Sequence, residues 1–391
     1  MNMPQVAARS ALLAWLKAHE GEMLRLLEEV VNIDSGSSNK AGVDRVGAVF
    51  RAHLERAGIA TQLFPLEKHG NCVSAKVPGK GGALAPHVLL LGHMDTVFPE
   101  GTAARRPYRA DNGVAYGPGV ADMKAGLVMN TFVAQAFAEI GGNQAPIHVF
   151  YTGDEEIASP SSKELTMKMA QGAATVLNAE PGRPSGNVIV RRKGAMFIDF
   201  EVEGVAAHSG GNHEKGASAI EALARKIVKL HALTDYATGV TTNVGTVRGG
   251  VTVNMVAPHA TAQLDVRFPI EVDRDLLHRR IREIVEEEFP ARTHGRITNE
   301  ERFLPLFETD ASRALLADYT RAASEAGFTV TGEFTGGCAD SGFTASVGAP
   351  TLCATGPVGG EAHTPHEYCR IDTLVPRAQA VALTILNRHG A

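Results

Sequence analysis

The stretch HVLLLGHMDTV (residues 87–97) begins with a continuous apolar run and ends in polar residues. A short run of this kind is typical of a strand buried on both faces of a parallel sheet. PIHVFYTGDEE (146–156) and ATVLNAEPG (174–182) repeat the pattern, and a helical pattern, KAGLVMNTFVAQAFAEIGG (124–142), lies between the first two. Alternating strands and helices predict an α/β domain with a mostly parallel sheet and flanking helices.

The pattern changes near residue 193. AMFIDFEVEG (195–204) alternates apolar and acidic residues, which is typical of a half-solvated strand. The segments that follow predict the order β-α-β-β-α-β, which is the split βαβ, ferredoxin-like arrangement of an α+β domain. From about residue 304 the earlier helix–strand–helix pattern resumes. We therefore expect a domain at 193–303 inserted into a larger α/β domain of residues 1–192 and 304–391.

The overall composition excludes several classes of function. The 391 residues carry a formal net charge of -5 without a long basic run, which argues against nucleic acid as a partner. The N-terminus predicts an amphipathic helix starting near Ser10 instead of a signal peptide, and the run VLLLG (88–92) is too short to span a membrane. The cysteines form no C-x-x-C pair: Cys72, Cys338, Cys353 and Cys369. Free thiols predict a cytoplasmic protein, with the periplasm as the alternative.

Histidines and carboxylates collect at the predicted strand ends and in two loops. They are His93, Asp95, Asp122, Asp154, Glu155, Glu156, Glu180, His363 and His366. Each alone could be an ordinary turn or surface residue. Together they fall where an open parallel sheet binds its ligands, at the carboxyl ends of the strands. Clustered carboxylates repel one another unless cations neutralise them, and this mixed nitrogen and oxygen set suits zinc. The pattern therefore indicates a metal site, and one bridging carboxylate would make it a two-metal site.

The run YTGDEEIAS (151–159) places three acids side by side. In extended backbone, successive side chains point in opposite directions, so we expect Glu155 and Glu156 to have different roles. Asp154 is predicted to be a structural turn residue or an acid that supports the site.

Six segments resemble, in order and spacing, the dinuclear-zinc exopeptidase family of aminoacylases, acetylornithine deacetylases and glutamate carboxypeptidases. They are GHMDTV, GPGVADMKAG, TGDEE, NAEPG, AAHSGG and AHTPHEY. The resemblance covers essentially the whole chain and is nearest to the carboxypeptidase G type of glutamate carboxypeptidase. It implies two Zn²⁺ per subunit, with Co²⁺ or Mn²⁺ as substitutes.

The same resemblance implies a role for each site residue. The implied metal ligands are His93 and Glu180 on one ion, Glu156 and His363 on the other, and Asp122 bridging both. Asp95 matches the acid that orients the His93 imidazole, and Glu155 matches the general base that takes a proton from a zinc-bridged water. His208, in AAHSGG, would bind the oxyanion from the inserted domain, which forms a lid and a homodimer contact. The alternative for His208 is an ordinary loop histidine.

Substrate-binding residues follow from the resemblance alone. Asn254, Arg267, Arg302 and the backbone of Gly337 match positions that face the substrate in this family. For the two arginines the alternative is a solvated surface charge. Cys338 departs from the small residue that is usual at its position, so the shape of the pocket is left open.

The implied function is a metallohydrolase that cleaves an amide bond and releases a C-terminal amino acid, glutamate or a similar one, from an N-acyl or peptide substrate. The alternatives within the family are an N-acyl amino acid deacetylase of the acetylornithine deacetylase kind and a dipeptidase. A binding protein without catalysis is disfavoured because the five ligands and Glu155 are all present. A nucleotide-binding protein is disfavoured because the glycine clusters fit neither phosphate-binding motif. A dinuclear phosphatase is disfavoured because nothing in the sequence indicates phosphate recognition.

Overall fold

A computed structural model describes residues 3–82 and 86–390 of the chain. The helices are α1 Met3–Ala18, α2 Glu20–Val31, α3 Lys40–Arg56, α4 Thr102–Arg105, α5 Ala125–Ile140, α6 Lys163–Ala170, α7 Ala219–His231, α8 Arg274–Glu286, α9 Asp310–Glu325, α10 Ser341–Ser346 and α11 Leu374–His389. The strands are β1 Ala60–Phe64, β2 Cys72–Val77, β3 Val88–His93, β4 Arg109–Asp111, β5 Val114–Tyr116, β6 Ile147–Thr152, β7 Thr175–Asn178, β8 Val188–Arg192, β9 Gly194–Glu203, β10 Thr241–Gly249, β11 His259–Phe268, β12 His294–Phe303, β13 Gly332–Thr335, β14 Thr351–Leu352, β15 Gly359–Gly360 and β16 Tyr368–Arg370.

The chain forms two compact units. The larger unit comprises the described residues of Met1–Arg191, Phe307–Thr335 and Ala339–Ala391, and the smaller one comprises Arg192–Leu306 with Gly336–Cys338. In the described ranges, no helix is both long enough and apolar enough to cross a membrane. The predicted start of the first helix near Ser10 is wrong, because α1 already begins at Met3.

The larger unit is built on a six-stranded sheet in the order β1-β2-β6-β3-β7-β14. The four strands β6, β3, β7 and β14 run parallel, while β1 and β2 add an antiparallel edge. The prediction of a mostly parallel α/β sheet is therefore confirmed, and the antiparallel edge adds to it. The carboxyl ends of β3, β6 and β7 consequently meet at one edge of the sheet.

Buried side chains hold β3 from both faces. Val88 and Leu90 lie in the hydrophobic core that includes Phe132 of α5, whereas Leu89 and Leu91 lie in a second core on the opposite face. All four are fully buried, and each such side chain contributes about 1.5–3 kcal/mol relative to exposure. The end of this strand is therefore a rigid point from which His93 projects.

The smaller unit is an antiparallel sheet in the order β10-β11-β9-β12, with α7 and α8 packed into its core. On β9 the side chains of Met196, Ile198 and Phe200 are buried, while Asp199 and Glu201 are partly exposed. This alternation and the order β9-α7-β10-β11-α8-β12 match the predicted split βαβ arrangement. Strand β10 lies at the edge of the sheet, with its outer side unpaired in the described part of the chain.

A four-stranded sheet in the larger unit, β15-β16-β5-β4, brings together distant parts of the sequence. Strand β16 pairs with β5 antiparallel, with Tyr368 opposite Tyr116 and Arg370 opposite Val114. The loop that carries Asp122 follows β5, and the loop that carries His363 connects β15 to β16. The pairing therefore fixes these two loops next to each other.

Candidate metal centre

Five segments of the larger unit place histidine or carboxylate side chains at the sheet edge where β3, β6 and β7 end. His93 is the last residue of β3, Asp122 lies in a kinked turn before α5, and Glu180 follows β7 by two residues. Glu156 lies in a 3-10 turn after β6, and His363 lies in the loop between β15 and β16. The structure therefore gathers the five predicted ligands.

Asp122 stands between the two histidines. Its Oδ1 lies 3.2 Å from His93 Nε2, and its Oδ2 lies 3.4 Å from His363 Nε2. Glu180 Oε1 is 3.7 Å from the same nitrogen of His93, and Glu156 Oε2 is 3.1 Å from that of His363. Two possible ligand groups result, His93–Asp122–Glu180 and Asp122–Glu156–His363, each with its ligand atoms within 4.8 Å of one another. A carboxylate shared in this way is the arrangement that a two-metal site requires.

The electrostatics of these groups fit divalent cations. Burial, with the nearby charge of Asp122, raises the pKa of Glu156 to about 7. Hydrogen bonds to Asp122 and Glu156 raise the pKa of His363 to about 10. Glu156 Oε1 is buried and has no hydrogen-bond partner among the described residues. A bound metal ion would neutralise the charge of this unpaired carboxylate oxygen and would replace the proton that the neighbouring histidine otherwise binds.

Glu155 lies beside this group without belonging to either possible ligand set. Its Oε2 is 3.9 Å from His93 Nε2, and the residue is 7% exposed. Burial raises the pKa of Glu155, and the charge of Glu180 adds to the rise against the opposing effect of His93. A carboxylate with a raised pKa at the edge of a metal site is a candidate proton acceptor.

The expectation that Glu155 and Glu156 lie in extended backbone is wrong. Both belong to a 3-10 turn, Glu155–Ile157, that begins directly after Asp154. Their carboxylates nevertheless diverge, since Glu156 contacts His363 while Glu155 lies near His93. Asp154 is buried, and its carboxylate accepts hydrogen bonds from Ser161 N at 2.7 Å and from the Ser162 hydroxyl. It thus joins the end of β6 to the start of α6 and belongs to neither ligand group.

Asp95 contacts both His93 and the turn after β6. The Nδ1 of His93 lies 3.0 Å from the main-chain oxygen of Asp95 and 3.4 Å from its Oδ1. The carboxylate also accepts hydrogen bonds from the backbone N–H groups of Glu155, at 3.1 Å, and Glu156, at 3.2 Å. One buried acid therefore orients the imidazole and fixes the neighbouring acidic turn. The second contact is beyond the reach of sequence reasoning, because it involves backbone donors.

Two further buried acids were missed by the sequence reasoning. Glu367 is 1% exposed and accepts hydrogen bonds from three backbone N–H groups of the Asp122 loop. Asp340 is also buried and accepts a hydrogen bond from the Ser159 hydroxyl at 2.5 Å. Both could have been found by position, because Glu367 lies in the AHTPHEY segment and Asp340 lies two residues after Cys338. His366, the second histidine of the first segment, is exposed.

In the smaller unit, His208 lies in an exposed loop. Its Nδ1 accepts hydrogen bonds from Gly210 N and Gly211 N, both at 3.1 Å. A ring nitrogen that accepts carries no proton, so neutral His208 has its proton on Nε2. The backbone of Asn254 meets the same loop, because its oxygen accepts from Ser209 N at 3.1 Å.

The remaining predicted substrate residues lie around β9 in the smaller unit. Arg267 on β11 pairs with Asp265 and places Nη1 2.9 Å from Cys338 Sγ, so Cys338 is packed against an arginine. Arg302 on β12 pairs with Glu300, and the Gly337 oxygen accepts from Arg192 at 3.3 Å. Their roles toward a substrate stay predictions.

The chain matches a family model and several known proteins. The model of peptidase family M20/M25/M40 matches residues 89–387. Carboxypeptidase G2 of Pseudomonas sp. (strain RS-16) is 28% identical over 94% of this chain and 89% of its own. Acetylornithine deacetylase of Proteus mirabilis is 27% identical over 85% of this chain and 87% of its own. An M20 family metallo-carboxypeptidase from Sulfolobus solfataricus has the same fold, with a TM-score of 0.76 at 18% identity over 93% of this chain and 98% of its own.

The family match covers most of the chain and includes the residues that supply both candidate ligand groups. The predicted resemblance is thereby confirmed. The chain belongs to peptidase family M20/M25/M40, and it is a metallopeptidase or a related amidohydrolase.

Proposed function

We propose that this protein hydrolyses an amide bond and releases a C-terminal amino acid, glutamate or a similar one, from an N-acyl or peptide substrate. The observation that carries the proposal is the division of the Asp122 carboxylate between two histidines, with a second carboxylate beside each. We infer that this arrangement holds two divalent ions. Both are proposed to be Zn²⁺, and Co²⁺ or Mn²⁺ could substitute for them. The proposed ligands are His93, Asp122, Glu156, Glu180 and His363.

Glu155 is the proposed general base. Two divalent ions at these ligands would polarise the amide carbonyl and lower the pKa of the attacking water. Glu155 takes a proton from that water as the new C–O bond forms, and it returns the proton to the amine nitrogen as the C–N bond breaks. Glu155 belongs to neither ligand group, which leaves its carboxylate available for this transfer, and burial raises its pKa as a proton acceptor requires.

His208 is the proposed donor to the tetrahedral oxyanion. The bonds from Gly210 and Gly211 to Nδ1 leave the proton on Nε2, where it can be donated to an anionic oxygen. We further propose that the smaller unit acts as a lid and forms a homodimer, so that the partner subunit's His208 completes the site. Support comes from the edge strand β10 and from exposed apolar side chains on β10 and α7, namely Val247, Ile220 and Val228.

Arginines of the smaller unit are the proposed contacts to substrate carboxylates. Arg267 and Arg302 lie on the two strands that flank β9, opposite Ala195 and Met196 respectively. A guanidinium binds a carboxylate through two parallel hydrogen bonds, which suits an amino acid product with an acidic side chain. Asn254 and the Gly337 backbone are proposed to complete this contact. The resemblance to glutamate carboxypeptidases of the carboxypeptidase G type favours release of glutamate, and the likeness to carboxypeptidase G2 over 94% of the chain agrees with it.

A second candidate function is the removal of an acyl group from an N-acyl amino acid. The likeness to acetylornithine deacetylase over 85% of the chain supports it, and the proposed chemistry at the amide bond is the same. A dipeptidase is the third option within the family. We also propose a cytoplasmic location, because the four cysteines are free thiols and three of them are buried.

The proposal is tested by assaying the zinc-loaded protein against N-acyl-glutamates, folate-type conjugates, acetylornithine and dipeptides. We expect hydrolysis of the glutamate-terminated amides to have the highest kcat/KM, and the metal-free protein serves as the control. Highest kcat/KM on acetylornithine would instead favour the deacetylase. No hydrolysis of any amide by protein with two bound ions would contradict the proposed activity.

A further inference from the structure

Glu367 is a buried acid that the proposed reaction does not use. Its Oε1 accepts hydrogen bonds from the backbone N–H groups of Ala121, at 2.8 Å, and Asp122, at 3.0 Å. Its Oε2 accepts from Gly119 N at 2.9 Å. All three donors belong to the loop that carries Asp122. One side chain therefore binds the backbone of the residue that is proposed to bridge the two metal ions.

The same acid belongs to the segment that carries His363. Glu367 follows His363 by four residues and directly precedes β16, which pairs with β5. Strand β5 in turn leads into the Asp122 loop. The pairing of β16 with β5 connects the His363 segment to the Asp122 loop. The hydrogen bonds of the Glu367 carboxylate connect them a second time, beside the proposed ligands. The separation between Asp122 and His363 is thus set by two connections.

The geometry of this contact requires a side chain with two accepting oxygens. Its two oxygens offer about four lone-pair sites, enough for three converging N–H donors, whereas an amide offers one accepting oxygen. An amide nitrogen in place of one oxygen would face a backbone N–H group. Both groups are donors, so that hydrogen bond would be lost. The loop is also closely packed at Gly119. Gly119 has a φ of +71°, and a Cβ there would come within 2.5 Å of Thr96 Cγ2.

We infer that Glu367 is a positioning residue that holds Asp122 at the correct distance from His363, and thereby sets the affinity of the metal position they share. The inference rests on the proposed two-metal site. A residue with only a structural role would affect the free energy of unfolding and leave metal affinity unchanged. A positioning residue changes metal affinity in protein that is still folded.

The test uses two variants and a matched control in the full chain. Glu367→Gln keeps the side-chain length and loses one accepting oxygen, while Glu367→Asp keeps both oxygens and loses one methylene. The control is Asp44→Asn, since Asp44 Oδ1 also accepts a backbone hydrogen bond, from Asn71 N at 2.7 Å, in a different loop of the same unit. Zinc affinity is measured by competition with a chelating indicator, well below the melting temperature of each protein.

We expect both Glu367 variants to bind one zinc ion about 10- to 100-fold more weakly, and to lose kcat at unchanged KM once saturated with zinc. Asp44→Asn should keep both affinities within about twofold of wild type, since it touches neither ligand loop. Unchanged zinc affinity in both Glu367 variants would overturn the inference and leave the proposed function standing. Failure of both variants to fold without metal would also overturn it, because Glu367 would then be required for the fold itself. A wild-type protein that binds no zinc pair would overturn the proposed metal site as well.

Discussion

His93 and His208 represent two ways in which this chain holds a histidine. His93 is 1% exposed, ends a strand that is buried on both faces, and is fixed through Nδ1 by Asp95. His208 lies in an exposed loop, where its ring accepts hydrogen bonds from two glycine N–H groups close in sequence. The edge of the larger unit is thus held by buried contacts, whereas the loop of the smaller unit lies at the surface.

This difference indicates how the proposed chemistry is divided between the units. Metal ligands need fixed positions, which a rigid strand end provides. A donor that acts only when charge develops on the substrate can lie on a mobile element that closes over it. Substitutions in the larger unit should therefore change metal content or proton transfer. Those in the smaller unit should change kcat or KM with the metal content intact.

The largest effect is expected for Glu155→Gln. Loss of the proposed general base should lower kcat by about 10³–10⁴-fold, while both metal ions stay bound because Glu155 belongs to neither ligand group. Metal content by atomic absorption and kcat on the best substrate are the two measurements. A variant that also loses metal would show that Glu155 is a ligand.

Glu156→Gln should lose metal, in contrast to Glu155→Gln. This variant removes a proposed ligand that lies 3.1 Å from His363 Nε2. We expect the loss of one of two zinc ions and a fall in kcat of about 10³-fold, since a single ion leaves several kcal/mol of charge stabilisation unsupplied. The same metal analysis checks it. Two retained ions would contradict the assignment of Glu156 to the second position.

His208→Ala tests the smaller unit, where a substitution should lower kcat without changing the metal content. Loss of one oxyanion donor should lower kcat by about 10²–10³-fold, with KM and metal content nearly unchanged. His213→Ala is the matched control, because His213 is an exposed histidine of the same region. Mixing His208→Ala with Glu155→Gln subunits should restore part of the activity if the partner subunit's His208 completes the site. No recovery after subunit exchange would count against that arrangement.

The smallest effect is expected for Arg302→Gln. Loss of a guanidinium contact to a substrate carboxylate should raise KM by about tenfold, equal to about 1.4 kcal/mol, with kcat unchanged. Arg296→Gln is the control, since Arg296 lies on the same strand and pairs with Glu201 at the surface. The steady-state constants are compared for substrates that end in glutamate and in alanine. An equal KM for wild type and Arg302→Gln would place substrate recognition elsewhere.

Much of the fold could be predicted from the sequence because its signals are local. A strand buried on both faces needs a continuous apolar run such as residues 88–91, and a half-solvated strand such as β9 needs alternation. The placement of His93, Glu156 and Glu180 at one edge could also be predicted, since they end or follow the parallel strands β3, β6 and β7. Helix starts carry weaker signals, and α1 begins seven residues before the predicted position.

The contacts to backbone groups that support the site could not be predicted. Asp95 and Glu367 act on backbone N–H groups, and every residue except proline carries one, so no side-chain pattern marks the partner. The turn at Glu155–Ile157 was missed for a related reason. Its start is held by the hydrogen bonds that the backbone N–H groups of Glu155 and Glu156 donate to Asp95, and no periodic pattern marks them.

We propose that two divalent ions at the shared Asp122 carboxylate enable amide hydrolysis. Metal-free protein titrated with Zn²⁺, with binding and hydrolysis of an N-acyl-glutamate followed together, tests it most directly. The predicted result is two ions bound per chain, with activity that reaches its plateau only as the second position fills. Full activity without metal, or two bound ions with no hydrolysis of any amide, would contradict the claim.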